Sequence, residues 1–281
     1  MKPLADWPVE ERRKIVGVFT DIDDTLTTHG TITPDALQAL ADLKNAGLHV
    51  IPITGRPIGW GESFAKDWPI DALVAENGGV AWVVENEVEK NIKIYDKTSL
   101  QPAYLLPKAL SKLYQNNHLI RTKNSMRMTQ IAAQVTSQIA GVDVSKDSTG
   151  RETDLAFDYN EYANLPADIV QQVVDLLQSQ GMQTTVSSIH IHGCFGQFDK
   201  WTGAQWIVRE LFKRELADEL DHWVFVGDSG NDQAMFQYFK HSVGVANIRR
   251  FEAQLTHLPR YITPSERGAG FSEVAEFLLS H

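Results

Sequence analysis

With one cysteine among 281 residues, Cys194, the chain can form no internal disulfide and fits a reducing compartment. Cys194 closes a strand-like pattern, which suits a buried structural thiol better than a reactive one. Long apolar runs are missing as well. No segment approaches the roughly 18 apolar residues of a membrane-spanning helix, and residues 1–14 lack the apolar run of a signal peptide. The expectation is a cytoplasmic protein without a membrane partner. Positive charge is in deficit: 26 Lys and Arg stand against 36 Asp and Glu, a formal net charge of -10. Such a balance argues against nucleic acid as a partner, which normally meets a basic face. An anionic small molecule stays open, because a metal and a few local cations set the potential of a site. Internal repeats and low-complexity linkers are absent too. What is present is 43% hydrophobic content, enough for a substantial core and for two domains.

Residues 16–27 hold a short apolar run that reads as a buried strand and ends in Asp21, Asp23 and Asp24. Carboxylates that close cannot all stay ionised unless a cation or a proton neutralises part of the charge. Oxygen-only ligands at a strand end suit a hard cation such as Mg²⁺. A carboxylate held beside that cation can attack phosphorus. The competing reading is a solvated, Asp-rich turn. Three further segments bear on the choice. Residues 51–56 form a second apolar strand ending in Thr54, Gly55 and Arg56, and Lys200 precedes an amphipathic helix. Residues 223–232 form a third apolar strand ending in Asp228 and Asp232.

In this order the four segments resemble the four motifs of the haloacid-dehalogenase-like superfamily of phosphotransferases, and the likeness covers nearly the whole chain. Phosphoryl transfer needs an in-line nucleophile, charge neutralisation at the equatorial oxygens and an acid for the leaving group. Asp21 is the expected nucleophile, forming an aspartyl-phosphate. Asp23, two residues on along an extended segment, points the same way and serves as acid and then base. Thr54 offers a hydroxyl and Gly55 an amide that no Cβ obstructs. Lys200 supplies a point charge joining nucleophile and phosphate. Asp228 ligates Mg²⁺ together with Asp21 and the backbone carbonyl of Asp23. Asp232 is either a ligand through water or the partner that orients Lys200. Asp24, where the family usually has glycine, reads as a turn or capping residue. Thr54 has capping of the next helix as its alternative. Arg56 touches the substrate phosphate or pairs with a core carboxylate. Asn231 orients a ligand or bonds its own turn.

The element pattern is α/β, a Rossmann-like parallel sheet core with an inserted α+β cap domain. Strands are expected at 15–20, 48–53, 72–75, 224–226 and 243–245, and helices at 34–46, 58–66, 202–216 and 271–279. The division is 1–85 for the first part of the core, 86–194 for the insert and 195–281 for the second part. Within the insert, a hairpin pairs 80–84 with 90–95, and helices follow at 102–115 and 129–140. Strands at 154–159 and 186–191 flank a helix at 166–180. Such an insert looks like the large cap of the type IIB branch, which contains sugar-phosphate phosphatases and phosphomannomutases. A cap closing over the site would exclude water and carry substrate selectivity. Its candidate substrate contacts are Arg151, which otherwise pairs with Glu152 or Asp154, and His190 and His192. The two histidines share one strand face, directed at the cleft or at solvent. A Zn²⁺ pair is the weaker alternative, since a third ligand motif is missing. Arg121, Lys123, Asn124 and Arg127 form a local basic cluster, and Trp60 stacks on a sugar or packs internally. The expected activity is a Mg²⁺-dependent phosphatase for a small phosphorylated metabolite, a sugar phosphate foremost. A phosphosugar mutase and a silent phosphometabolite-binding regulator are the alternatives. Nothing in the sequence sets the oligomeric state.

Overall fold

The computed structural model describes residues 1–86 and 108–280. Six strands form a parallel sheet in the order β1 (Lys2–Pro3), β14 (Tyr261–Ile262), β13 (His241–Gly244), β12 (Trp223–Gly227), β2 (Gly17–Thr20) and β5 (His49–Pro52). Both faces of this sheet are covered, which is why its central strands read as unbroken apolar runs. Val18, Val50, Val224 and Val226 face the helices Pro34–Asn45 and Arg267–Leu279, meeting Leu40, Leu43, Phe271 and Val274. Phe19, Ile51, Trp223 and Phe225 face the opposite way, onto Ile207, Val208 and Met235. Each such buried side chain contributes about 1.5–3 kcal/mol relative to exposure. A parallel bridge from Ile53 to Val74 extends the sheet towards β6 (Ala72–Ala75). There β6, β7 (Val80–Asn86) and β8 (Lys108–Tyr114) continue as antiparallel neighbours. A two-stranded hairpin, β3 (Thr27–Thr28) with β4 (Thr31–Ile32), follows the first acidic motif.

Strand β8 corrects the expected helix at 102–115 wherever that span is described. Ala109, Leu110, Leu113 and Tyr114 mimic a helical stripe, yet Leu110 and Tyr114 pack on one core cluster and Leu113 on the other. Pairing along the length of β7 settles the short, ambiguous window as a strand. The expected strand at 90–95 lies outside the described residues.

The insert has its own core. The antiparallel sheet of β10 (Gln183–Val186), β11 (His190–Cys194) and β9 (Asp154–Asp158) carries two helices, His118–Gln138 and Ala167–Ser179, on one face. Phe157 and Ile191 point into that layer, against Val135, Val173 and Leu177. The first helix starts well before residue 129 because Asn117 caps it, accepting from Ile120 N at 3.0 Å. Its opening turn is exposed, so no apolar period announced it. The strand expected at 186–191 is instead the end of β10, a turn and the start of β11. Ser187 closes that turn, its Oγ accepting from His190 N at 3.0 Å. Cys194 ends β11 as a buried thiol, and burial foremost pushes it up to about 12.

Candidate active site

Strands β12, β2 and β5 lie side by side and in parallel, so their carboxyl ends open at one edge. Asp21 N donates to Val226 O and Ile53 N to Thr20 O, each at 2.8 Å, which aligns the residues that leave the sheet there. Asp21, Asp228, Asp232 and Lys200 are all buried at this edge. Lys200 begins its helix behind Asp199, whose side chain accepts from Thr202 N at 2.7 Å. Its ammonium donates to Asp21 Oδ1 at 2.5 Å and to Asp232 Oδ1 at 2.7 Å. The other oxygen of Asp232 accepts from the backbone N–H groups of Asp228 (2.8 Å) and Ser229 (3.0 Å). Asp228 is steadied by Thr25 Oγ at 3.3 Å and Asn247 Nδ2 at 2.8 Å.

Three carboxylates face one ammonium, and the imbalance shows in their protonation. Burial, against the opposing charge of Lys200, pushes Asp21 up to about 7. Burial and the charges of Asp21 and Asp232 push Asp228 well above the usual carboxylate range. One oxygen each from Asp21, Asp228 and Asp232 lies within 4.8 Å of the others. An anionic, all-oxygen set short of positive charge fits a hard divalent cation. Among the described residues this cluster contains no histidine.

Beside it, Thr54 is buried and its Oγ accepts from Arg56 N at 3.0 Å. The following helix, Ile58–Asp67, begins behind Pro57, so Thr54 does not cap it. Gly55 allows a close approach: a Cβ there would stand 2.9 Å from His192 Nε2. Arg56 lines the cleft, and the core carboxylate it pairs with is Asp23. Arg56 Nε donates to both oxygens of Asp23 at 3.1 Å, and Nη2 to Asp23 Oδ1 at 3.0 Å. The remaining donors cross to the insert, Nη2 to Glu161 Oε1 at 2.8 Å and Nη1 to Asp147 Oδ2 at 3.3 Å. Trp60 packs on Phe64 and lies under the Arg56 guanidinium, 5.4 Å from ring centroid to Cζ.

The insert's sheet turns its polar face to this edge. His190 and His192 are buried and line the same cleft as Asp21, Asp23, Thr54 and Ser188. His190 Nε2 meets Glu161 Oε2 at 2.9 Å, and His192 Nδ1 meets Asp154 Oδ2 at 3.0 Å. Burial, then the charges of Arg151 and His190, holds His192 well below the usual histidine range, so it is neutral. Arg151 makes the expected pair with Asp154, but inside the protein. It lies neither in the cleft lining nor at the surface. Its buried guanidinium donates to Asp154 Oδ1 at 2.8 Å and to the Gly55 carbonyl at 2.9 Å, pinning insert to core. The basic cluster also faces elsewhere: Arg121 stacks on Tyr114 and Arg127 on Phe195.

A model of the haloacid dehalogenase-like hydrolases matches residues 18–274. The chain belongs to this family. A glucosyl-3-phosphoglycerate/mannosyl-3-phosphoglycerate phosphatase of Methanococcoides burtonii is 23% identical over 227 residues, 78% of this chain and 80% of that protein. Among solved structures, the Synechocystis sucrose-phosphatase, determined with sucrose and phosphate, shares the fold at a TM-score of 0.62 and 15% identity. That match covers 95% of this chain and 100% of the other. A subclass IIB sugar phosphatase of the same superfamily matches at 0.53 and 16% identity, over 92% and 97%. The type IIB fold expected from the insert is thus the fold this haloacid dehalogenase-like hydrolase has.

Several polar residues of the site escaped the motifs. Asn247 bridges Asp228 and the carbonyl of Asp24 (3.0 Å) from the short helical segment that follows β13. Asp24 itself has φ +57, which explains why glycine is usual there, and its carboxylate pairs with Arg267 at 2.8 Å. Asn231 lines the cleft, and its Oδ1 accepts from the side chain of Ser229, rather than from the backbone of its turn, at 3.0 Å. Its Nδ2 also reaches Asn77 Oδ1 at 3.2 Å. Glu76, Asp147 and Glu161 carry no motif at all. The only local signal was the Asn-Gly-Gly run after Glu76, where Glu76 and Asn77 both take φ +51.

Proposed function

We propose that this hydrolase is a Mg²⁺-dependent phosphatase of the cytoplasm, acting on a small phosphorylated metabolite, a sugar phosphate, through an aspartyl-phosphate on Asp21. The observation that carries the reading is buried Asp21 at a strand end, held by Lys200 within an acidic cluster and facing Thr54, Gly55 and Asp23 across one cleft. The Asp21 carboxylate bonds to phosphorus as the ester's phosphorus–oxygen bond breaks, and a proton on Asp23 passes to the departing alkoxide. Asp23, now a carboxylate, takes a proton from water. The water oxygen bonds to phosphorus as the Asp21–phosphorus bond breaks, which releases phosphate and restores both aspartates. Lys200 holds Asp21 in place, with Asp232 as its second anchor. Thr54 Oγ and Gly55 N face the phosphate oxygens. Asp21, Asp228 and Asp232, with the Asp23 carbonyl, would hold Mg²⁺, which when bound screens the phosphate charge from the attacking carboxylate.

The proposed division is core 1–85 and 195–281 with an inserted cap 86–194, of which β8 returns to the core-side sheet. Ser187, Ser188 and His190 give the cap's side of the cleft hydroxyl and imidazole groups suited to a polyhydroxylated leaving group. The Methanococcoides and Synechocystis phosphatases, both named for sugar-containing phosphoesters, support the substrate class. Phosphate release with Mg²⁺ against a panel of phosphorylated sugars, glycerates and nucleotides tests the proposal. A preferred sugar phosphate whose turnover is abolished by Asp21→Asn is the expected result. Retained phosphate release in that variant would overturn the mechanism.

A further inference from the structure

We propose that Glu161 and Asp147, both carried by the insert, are positioning residues that orient the acid–base carboxylate Asp23 through Arg56. The inference rests on the phosphatase reading of the site. Asp23 is gripped along one edge of the Arg56 guanidinium, by Nε and Nη2. A guanidinium is planar and rigid, so fixing its other donors fixes that edge. The fixing groups belong to the insert: Glu161 Oε1 on Nη2 at 2.8 Å, and Asp147 Oδ2 on Nη1 at 3.3 Å.

Both carboxylates are themselves held. Glu161 spends its second oxygen on His190 Nε2 at 2.9 Å, and its backbone N donates to Asp158 Oδ1 at 2.9 Å. Burial opposes its charge, but the bonds from His190 and Arg56 keep its carboxyl below the usual range. Asp147 accepts from Ser145 Oγ at 2.7 Å and from Arg151 Nη2 at 3.3 Å. Neither lines the cleft, so neither touches the reacting atoms. With its donors spent on three carboxylates, Arg56 serves as a bracket. Its bracket is complete when the insert lies on the core, and Asp23 takes its working orientation in that arrangement.

Leaving-group dependence tests this. The ratio kcat/KM reports steps through aspartyl-phosphate formation, where Asp23 matters in proportion to how poorly the alcohol leaves. Phenyl phosphate and p-nitrophenyl phosphate have similar shapes, but nitrophenolate needs little protonation. Glu161→Ala should lower kcat/KM for phenyl phosphate about tenfold and for p-nitrophenyl phosphate less than about threefold, as a misaligned general acid predicts. Asp147→Asn should act in the same direction. In an Asp23→Asn background Glu161→Ala should change the ratio of the two esters no further. Thermal melting verifies folding, and Glu161→Gln replaces the alanine variant should that one not fold. Equal losses on both esters, no loss, or an additive loss over Asp23→Asn would overturn the proposal. Wild-type protein that releases phosphate from neither ester nor any phosphorylated sugar of the panel would overturn the phosphatase reading instead, and the positioning role with it.

Discussion

Glu76 is fully buried after β6, and every neighbour its carboxylate meets is a donor. Ile58 N donates to Oε1 at 3.0 Å, Glu152 N to both oxygens at 3.1 Å, and Thr153 N and Oγ each to Oε2 at 2.5 Å. Glu76→Gln preserves the shape and replaces one acceptor by an amide nitrogen. Placed at Oε1 that nitrogen faces Ile58 N–H and Glu152 N–H; placed at Oε2 it faces Thr153 N–H. At pH 5 the wild-type carboxyl carries a proton, which can go to Thr153 Oγ turned round to accept, while the hydroxyl oxygen still accepts from Thr153 N–H; an amide nitrogen accepts nothing. At least one buried N–H therefore loses its partner, at about 1–3 kcal/mol each, and the predicted loss at pH 5 is about 2–3 kcal/mol. The gap should shrink with pH. Burial first, then the charge of Asp154, pushes the Glu76 carboxyl from its ordinary 4.5 up to about 7. The folded state thus binds this proton more tightly than the unfolded chain. Wild-type stability accordingly falls as pH rises from about 4.5 through about 7, by an upper limit of about 3 kcal/mol. Glutamine has no such cost. Urea denaturation of both proteins without divalent metal, at pH 5 and pH 8, measures the two gaps. Equal stability at pH 5 would refute the donor argument, and a gap that widens at pH 8 would refute the burial argument.

The other predictions concern the chemistry. Asp23→Asn should slow breakdown of the phosphoenzyme by two or more orders of magnitude, the worth of a positioned acid–base group, as read by acid-quench trapping of labelled protein. Wild-type breakdown would remove Asp23 from that role. Mg²⁺ should raise the melting temperature by about 5 °C at saturating concentration and pH 8, and by less than about 2 °C at pH 5. The sign follows from Asp21, which burial foremost raises from 3.8 to about 7. Metal-free protein keeps that proton at low pH and loses stability as pH rises through about 7, while Mg²⁺ has to displace it. An equal gain at both pH values would refute the assignment of Asp21 to the cation.

Much of this was legible because the decisive residues sit at the ends of buried strands. Val18-Phe19-Thr20 and Val224-Phe225-Val226 read as strands since both faces of their sheet are covered, and the acidic residues follow immediately in the chain. The amphipathic helix beside Lys200 was legible too, although it begins at Lys200 itself, behind Asp199, rather than at 202. The bracket around Arg56 was illegible for the opposite reason. Glu161 lies 105 positions from Arg56, in a loop with no period and no turn signature of its own, and only folding brings them together. Arg151 was half legible. Its pair with Asp154 is local and was read from the sequence, whereas its burial depends on the Gly55 carbonyl, 96 positions away. Strand β8 shows a further limit, since seven residues cannot distinguish a helical stripe from a strand covered on both sides.

The seam between insert and core is built from directed polar contacts at close range. Gly55 lets His192 approach the loop after Thr54, and at Gly79 a Cβ would overlap Thr153 Oγ1. Arg56 and Arg151 each donate to groups on both sides of the seam, and Glu76 takes the N–H groups of Glu152 and Thr153. Apolar surfaces tolerate sliding; buried charges and amides do not, because each mismatch strands a group without water. The seam therefore selects one docked geometry over near neighbours. Asp23 belongs to the same network, through Arg56, as the residues that make this selection. On the phosphatase reading proposed above, a shift of the insert that breaks the Glu161 contact also loosens Asp23, so docking and proton transfer would depend on one set of bonds.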